Sequence, residues 1–85
     1  MNFEPVDPAR ALMRILKLDL ENLRKEWIID ISDYIFYNEC GLAYDILISL
    51  IKEESYKPSD EALRLIKLTG TMLGVAYPRL SSDYE

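Results

Sequence analysis

Apolar residues recur every three or four positions along most of the chain, which is the spacing that places side chains on one face of an α-helix. The first such segment predicts a helix from about Pro8 to Leu18, because Asp7 can accept hydrogen bonds from the first turn and proline is tolerated at the first helical position. Asp19 can cap a second helix from about Leu20 to Tyr37. No proline or glycine separates the two segments, so one uninterrupted helix is an alternative.

The second predicted helix has two faces of different character. At about 100° per residue, one face carries mainly apolar side chains, namely Leu20, Arg24, Ile28, Ile31 and Ile35, with Trp27 and Tyr34 at its margin. The opposite face carries Glu26, Asp30, Asp33 and Tyr37. We therefore expect the first face to pack in the core and the second to be acidic and exposed to solvent.

Turn residues separate the next two helices from their neighbours. Asn38 tolerates positive φ, which predicts a tight corner before a third helix from about Gly41 to Glu54. This third helix is apolar around most of its circumference and is expected to be the most buried. Ser59 is the expected cap of a fourth helix that ends near Gly74. Since no segment shows sustained alternation with period two, the sequence predicts an all-α, single-domain bundle of about four helices.

The chain of 85 residues is long enough for one small domain, and 49% of its residues are apolar, which supplies a core. We assign residues 1–78 to the helical domain and expect the polar residues 79–85 to form a mobile tail. Cys40 is the only cysteine, so no disulfide can form within the chain. The N-terminus lacks a basic segment followed by an apolar one, and the expected location is the cytoplasm, away from membranes.

The net charge of -5 is concentrated in one segment. Residues 26–51 contain five acidic side chains, five aromatic side chains and no lysine or arginine. Such a surface disfavours nucleic acid as a partner but suits a basic protein, because acids steer the encounter and tyrosine supplies contact area. The residues proposed for this surface are Glu26, Asp30, Asp33, Tyr34, Tyr37, Glu39, Tyr44 and Asp45. A solvated helix face with aromatic residues packed inward is the alternative interpretation.

An enzymatic function is not expected. The chain has no histidine, which removes the commonest general base and metal ligand. Glu26, Asp30 and Asp33 have a spacing that can hold a divalent cation, but no second helix offers a matching acidic pair. Cys40 lies near a predicted helix N-terminus, which can lower the pKa of a thiol, yet no histidine is present to activate it. The sequence therefore predicts no catalytic residue, no metal site and no cofactor.

The predicted corner within residues 34–47 has a distinctive order of residues: a Tyr-Ile helix ending, an acid, then Gly-Leu-Ala, a second acid and a leucine. This order resembles the signature corner of MafI-type immunity proteins, which are small acidic helical proteins encoded beside polymorphic or contact-dependent toxins. The matching positions are Glu39, Gly41, Leu42, Ala43, Asp45 and Leu47. Asn38 stands where glycine is typical, and Tyr37 replaces a histidine. The similarity extends loosely to Ser59 and to the Met72-Leu73-Gly74 ending.

The resemblance implies a protein that binds a cognate toxin domain, frequently a nuclease, and blocks it inside the producing cell. A nuclease needs a basic groove for its substrate, and an acidic, aromatic helix face complements such a groove. Glu39 can instead have a structural role by holding free amides at the start of the third helix. The competing hypothesis is a non-catalytic adaptor or regulatory module that forms homodimers through its aromatic residues.

Overall fold

Four α-helices account for the regular secondary structure of the described residues, which are Pro5 and residues 7–74 of this computed structural model. They are α1 (Pro8–Leu18), α2 (Lys25–Phe36), α3 (Cys40–Glu53) and α4 (Asp60–Leu73). The predicted all-α fold with about four helices is therefore confirmed. The predicted tail at 79–85, together with the end of the assigned domain at 75–78, lies outside the described residues.

The helices run alternately up and down and form two antiparallel pairs. α1 packs mainly against α4 and α2 mainly against α3, while contacts of α1 with α2 and α3 join the pairs. At one end, Tyr56 and Ser59, which precede α4, are hydrogen-bonded to Asp19, which follows α1. At the other end, Leu73 of α4 lines the same depression as Asn38 between α2 and α3. We call these the clasp end and the corner end of the bundle.

The first helix has the predicted bounds, but the second begins later than predicted. The Asp7 carboxylate caps α1 by accepting a hydrogen bond from the amide nitrogen of Arg10 at 2.9 Å. Residues 19–22 form a turn, Arg24 is extended, and α2 begins only at Lys25. This break makes the alternative of one uninterrupted helix wrong.

The prediction that Asp19 caps the second helix is wrong. Asp19 instead ends the first helix and is buried. The residue is 1% exposed. Its carboxylate accepts hydrogen bonds from the Tyr56 hydroxyl at 2.7 Å, the Ser59 hydroxyl at 2.6 Å and the Ser59 amide nitrogen at 3.0 Å. We call these three residues the clasp. Because the clasp draws the chain toward α4, Leu20 turns outward and is 55% exposed, whereas the sequence had indicated a core position.

The apolar core is shared among three helices. α1, α3 and α4 contribute four, five and three buried hydrophobic residues, whereas α2 contributes only Ile31. α3 therefore contributes the largest share of the apolar core, in line with the prediction, although Leu42 on its outer face is 45% exposed. α4 buries as many residues as α3 only when Thr69 and Gly70 are included. Among the described residues, each helix is too short or too polar to span a bilayer.

The ends of α4 are as predicted. The Ser59 hydroxyl accepts a hydrogen bond from the amide nitrogen of Ala62 at 3.4 Å and donates one to the Asp19 carboxylate. Gly74 closes the helix with a φ of 83°, a conformation that side chains other than glycine rarely adopt. The amide of Gly74 donates to the carbonyls of Gly70 and Thr71, which would otherwise lack helical partners.

Replacing Leu47 by alanine should lower the free energy of unfolding by about 2 to 5 kcal/mol, because the side chain is fully buried and its removal leaves a cavity. Chemical denaturation followed by circular dichroism measures this loss. Leu42→Ala is the matched control on the same helix, and its cost should be below about 1 kcal/mol because the residue is half exposed. Equal costs for the two variants would contradict the assignment of Leu47 to the core.

The clasp predicts a loss of stability at high pH. Burial, followed by the hydrogen bond to Asp19, raises the pKa of Tyr56 far above its ordinary value of 10.0. Above pH ~10 the unfolded chain therefore loses a proton that the folded chain keeps, so the free energy of unfolding falls as pH rises, by up to ~1.4 kcal/mol per pH unit. Below that pH the contribution is fully present.

Tyr56→Phe isolates this effect, because it retains the ring and removes the hydroxyl. The variant should be about 1.5 to 3 kcal/mol less stable at neutral pH, since the buried Asp19 carboxylate loses one of its donors. Its free energy of unfolding should also decline less steeply than that of the parent between about pH 9.5 and 11.5. This range covers the ordinary tyrosine pKa of ~10, at which Tyr56 of the unfolded parent loses its proton. Urea denaturation at each pH measures both quantities. Parallel pH profiles for parent and variant would refute the buried, hydrogen-bonded state of the phenol.

Candidate partner-binding surface

Three backbone hydrogen bonds fix the corner between α2 and α3. The amides of Tyr37, Asn38 and Glu39 donate to the carbonyls of Asp33, Ile35 and Tyr34 at 3.0, 3.0 and 2.7 Å. Asn38 has a φ of 61°, which confirms the predicted left-handed residue at this position. Because the backbone of the corner is satisfied internally, the Cα–Cβ bonds of its residues have fixed directions relative to both helices.

The outer face of α2 carries acidic side chains that are exposed to solvent. Glu26, Asp30 and Asp33 all lie on this face, opposite the fully buried Ile31. Within the part of the chain that the structure describes, the one ion pair on this face joins the Arg24 guanidinium to the Glu26 carboxylate, at 3.9 Å. Among the described residues, Asp30 and Asp33 take part in no ion pair. The negative field of this face is therefore compensated only at its beginning.

A groove between α2 and α3 lies beside the acidic face. Trp27 and Tyr34 of α2 line it together with Leu42 and Asp45 of α3. The Arg24 guanidinium lies over the Trp27 ring, 5.2 Å from its centroid. The groove thus combines apolar walls with the carboxylates of Asp45, Glu53 and Glu54, and it lies between α2 and α3.

Seven of the eight residues proposed from the sequence are exposed to solvent and lie on the outer face of α2, in the groove or at the corner. They are Glu26, Asp30, Asp33, Tyr34, Tyr37, Glu39 and Asp45. We call this set the acidic-aromatic surface. Glu39 precedes α3, but its carboxylate makes no capping hydrogen bond, so the structural role considered for it is not observed.

Tyr44 does not belong to this surface, which corrects the prediction. Its side chain is 1% exposed and packs in the core with Ala43, Leu47 and Ile48. Tyr44 lies three residues before Leu47 and four before Ile48, so the three side chains share the inward face of α3. The proposal from sequence grouped residues by segment, whereas the helical repeat assigns Tyr44 to the core.

Phe36 was not among the proposed residues, yet it is the most exposed large apolar side chain of those described, at 81%. Tyr37 follows at 71% exposure, and the two rings meet edge to face with centroids 5.3 Å apart. The sequence did contain a signal for this position. Phe36 lies three residues after Asp33 and seven after Ile29, which is 52% exposed, so helical spacing places it on the outer face of α2.

Cys40 is the first residue of α3 and is partly buried. Burial, followed by the nearby Asp7 carboxylate, raises the pKa of its thiol. This is the opposite of the lowering that a helix N-terminus can produce. Among the described residues, no three acidic or cysteine side chains converge in a way that could hold a metal ion.

No protein-family model, curated protein or solved structure matches the chain. The similarity of residues 34–47 to the corner of MafI-type immunity proteins therefore remains a resemblance of sequence. The acidic-aromatic surface is defined by the positions of its side chains, independently of that resemblance.

The thiol of Cys40 should react with iodoacetamide more slowly at pH 8 than the thiol of an unstructured cysteine peptide, because only the thiolate is nucleophilic and the raised pKa reduces its fraction. Asp7→Asn should increase the rate, since it removes the second cause of the shift and asparagine can still cap α1. Mass spectrometry of the alkylated protein measures the rate. Alkylation faster than that of the peptide would contradict the electrostatic environment described here.

Proposed function

We propose that this protein is an immunity protein that binds a basic toxin domain through the acidic-aromatic surface and neutralises it without catalysis. The observation that carries the proposal is the exposure of all five acidic residues between positions 26 and 51, a segment without lysine or arginine. Their field extends over about one Debye length, ~8 Å at physiological salt, and so attracts a basic partner before contact.

The arrangement of these acids is unfavourable for the isolated helix. Asp30 follows Glu26 by four residues and precedes Asp33 by three, so like charges are neighbours on one face, at a cost of a few tenths of a kcal/mol per pair. Asp33 also lies near the negative end of the α2 dipole, and the last turn of α2 contains no basic residue. Glu26 lies in the first turn, where its charge favours the helix dipole, but Asp30 and Asp33 do not stabilise α2, and a role in binding explains their presence.

A nuclease toxin is the partner that fits this surface best. An enzyme that binds nucleic acid needs a basic groove to neutralise phosphates, and a protein that fills such a groove must itself be negatively charged. The resemblance of the corner to MafI-type immunity proteins points to the same class of partner. The exposed tyrosines of the acidic-aromatic surface, Tyr34 and Tyr37, would supply contact area at the centre of the acidic field.

A homodimeric adaptor is the competing function, and the exposure of Phe36 and Tyr37 favours it. Joining two copies through this corner would bring two identical acidic surfaces together, which costs free energy unless salt screens them. A dimer formed in this way should therefore strengthen as ionic strength rises, whereas a complex with a basic toxin should weaken. Analytical ultracentrifugation at low and high salt distinguishes the two.

Reversing the charges of Asp30 and Asp33 to lysine should slow association with the cognate toxin domain, to be sought in the neighbouring genes, by about tenfold or more at low salt. It should also flatten the dependence of the association rate on salt, because these acids supply the steering field. The thermal midpoint should change little, since both residues are exposed. Stopped-flow or surface-based kinetics measure the rates, and rescue of growth on co-expression measures protection.

The matched control changes the same number of charges at the clasp end. Glu21→Lys with Asp60→Lys alters two exposed acids outside the acidic-aromatic surface and should leave most of the association rate intact. Equal slowing by the two double variants would show that only net charge matters. A folded Asp30 and Asp33 variant that binds and protects as the parent does would refute the proposed surface.

A further inference from the structure

We propose that Phe36 and Tyr37 form an aromatic anchor that inserts into an apolar pocket with a basic rim on the partner protein. The inference rests on the proposed function for the nature of the partner and goes beyond it by naming the residues that hold the complex together. Acids that steer an encounter govern its rate, whereas side chains buried at the centre of an interface govern the lifetime of the complex.

Within the part of the chain that the structure describes, nothing explains the exposure of this pair. Phe36 is 81% exposed and Tyr37 is 71% exposed, although Ile35, the residue before them, packs against the core. A single exposed apolar residue is ordinary, but two adjacent aromatic rings at one projecting corner form a patch that a partner can bury. Aromatic residues are also the types most enriched among those that dominate binding free energy.

Backbone hydrogen bonds fix the position of the anchor at the corner before binding. The amide of Tyr37 is hydrogen-bonded to the carbonyl of Asp33, and the next two amides close the corner behind the rings. The rings contact each other edge to face at 5.3 Å, which restricts both. Since each ring has only two side-chain torsions, little conformational entropy is lost when a partner covers them.

The charges around the anchor select the partner. Asp33 precedes the rings, Glu39 follows them, and Asp45 lies with Glu39 in the depression at the corner end. No lysine or arginine lies between positions 26 and 51, so every charge in this part of the chain is negative. A pocket that receives the rings must have cations at its rim to complement these acids. A second copy of this chain presents acids instead and is disfavoured.

The first experiment traps whatever covers the anchor in the cells that produce the protein. The photoreactive residue p-benzoylphenylalanine replaces Phe36 in the full chain, and the same residue replaces Leu20 as the control. Leu20 is 55% exposed but lies at the clasp end, outside the acidic-aromatic surface. Illumination should cross-link position 36, and not position 20, to one protein with a basic domain, identified by mass spectrometry. Cross-linking to a second copy, to an acidic protein or to nothing overturns the proposal.

The second experiment measures the affinity of the purified cross-linked domain by calorimetry. Phe36→Ala and Tyr37→Ala should each weaken binding by about 30-fold or more, mainly through faster dissociation, as is typical of residues at the centre of an interface. Leu20→Ala should change the affinity less than about threefold, as expected for an exposed residue outside an interface. Circular dichroism should show unchanged folding, because Phe36 makes little contact with the core. A folded Phe36→Ala variant that binds within about threefold of the parent overturns the anchor.

The two proposals fail in different ways. If the trapped basic domain does not arrest growth when expressed alone, the immunity function is wrong. The anchor is then still supported if Phe36→Ala and Tyr37→Ala weaken binding to that domain. If the domain is toxic and binding is sensitive to the reversal of Asp30 and Asp33 but not to Phe36→Ala, the immunity function stands and the anchor is wrong.

Discussion

The buried carboxylate of Asp19 holds the end of α1 against the start of α4. It accepts hydrogen bonds from Tyr56 and Ser59, which lie 37 and 40 residues further along the chain. Three donors satisfy a polar group that would be strongly unfavourable in the core without them. The same bonds end α1, orient the segment that leads to α2 and hold the first turn of α4. The position of α2, and therefore of the acidic-aromatic surface, depends on this contact.

Local sequence signals predicted those parts of the fold that local interactions decide. Asp7, Asn38, Ser59 and Gly74 are each capping or turn residues whose role depends on adjacent backbone, and all four have the expected conformation or hydrogen bonds. Asp19 has the same chemical type as Asp7, but its partners are distant in sequence. No local pattern distinguishes the two, so the start of α2 and the outward position of Leu20 could not be predicted.

The candidate surface was predictable to the extent that charge and helical spacing decide it. The acids of α2 are exposed because their spacing opposes that of Ile31, and this holds for any packing of the helix. Tyr44 was wrongly assigned to this surface because it was grouped with the acidic residues near it in sequence. Its spacing from Leu47 and Ile48 places it on the inward face of α3. The exposure of Phe36 depends on where α2 ends relative to the bundle, which only the three-dimensional structure shows.

Because α2 contributes little to the core, the residues that stabilise the fold are largely different from those proposed to bind a partner. Since α2 buries only Ile31 fully, residues on its outer face can change without altering the packing of α1, α3 and α4. A duplicated copy of the gene could therefore acquire a new charge pattern at positions 26, 30 and 33 and new side chains at 36 and 37 while keeping its stability. Evolution toward a different partner would then proceed on one helix, with the remaining three helices serving as an unchanged scaffold.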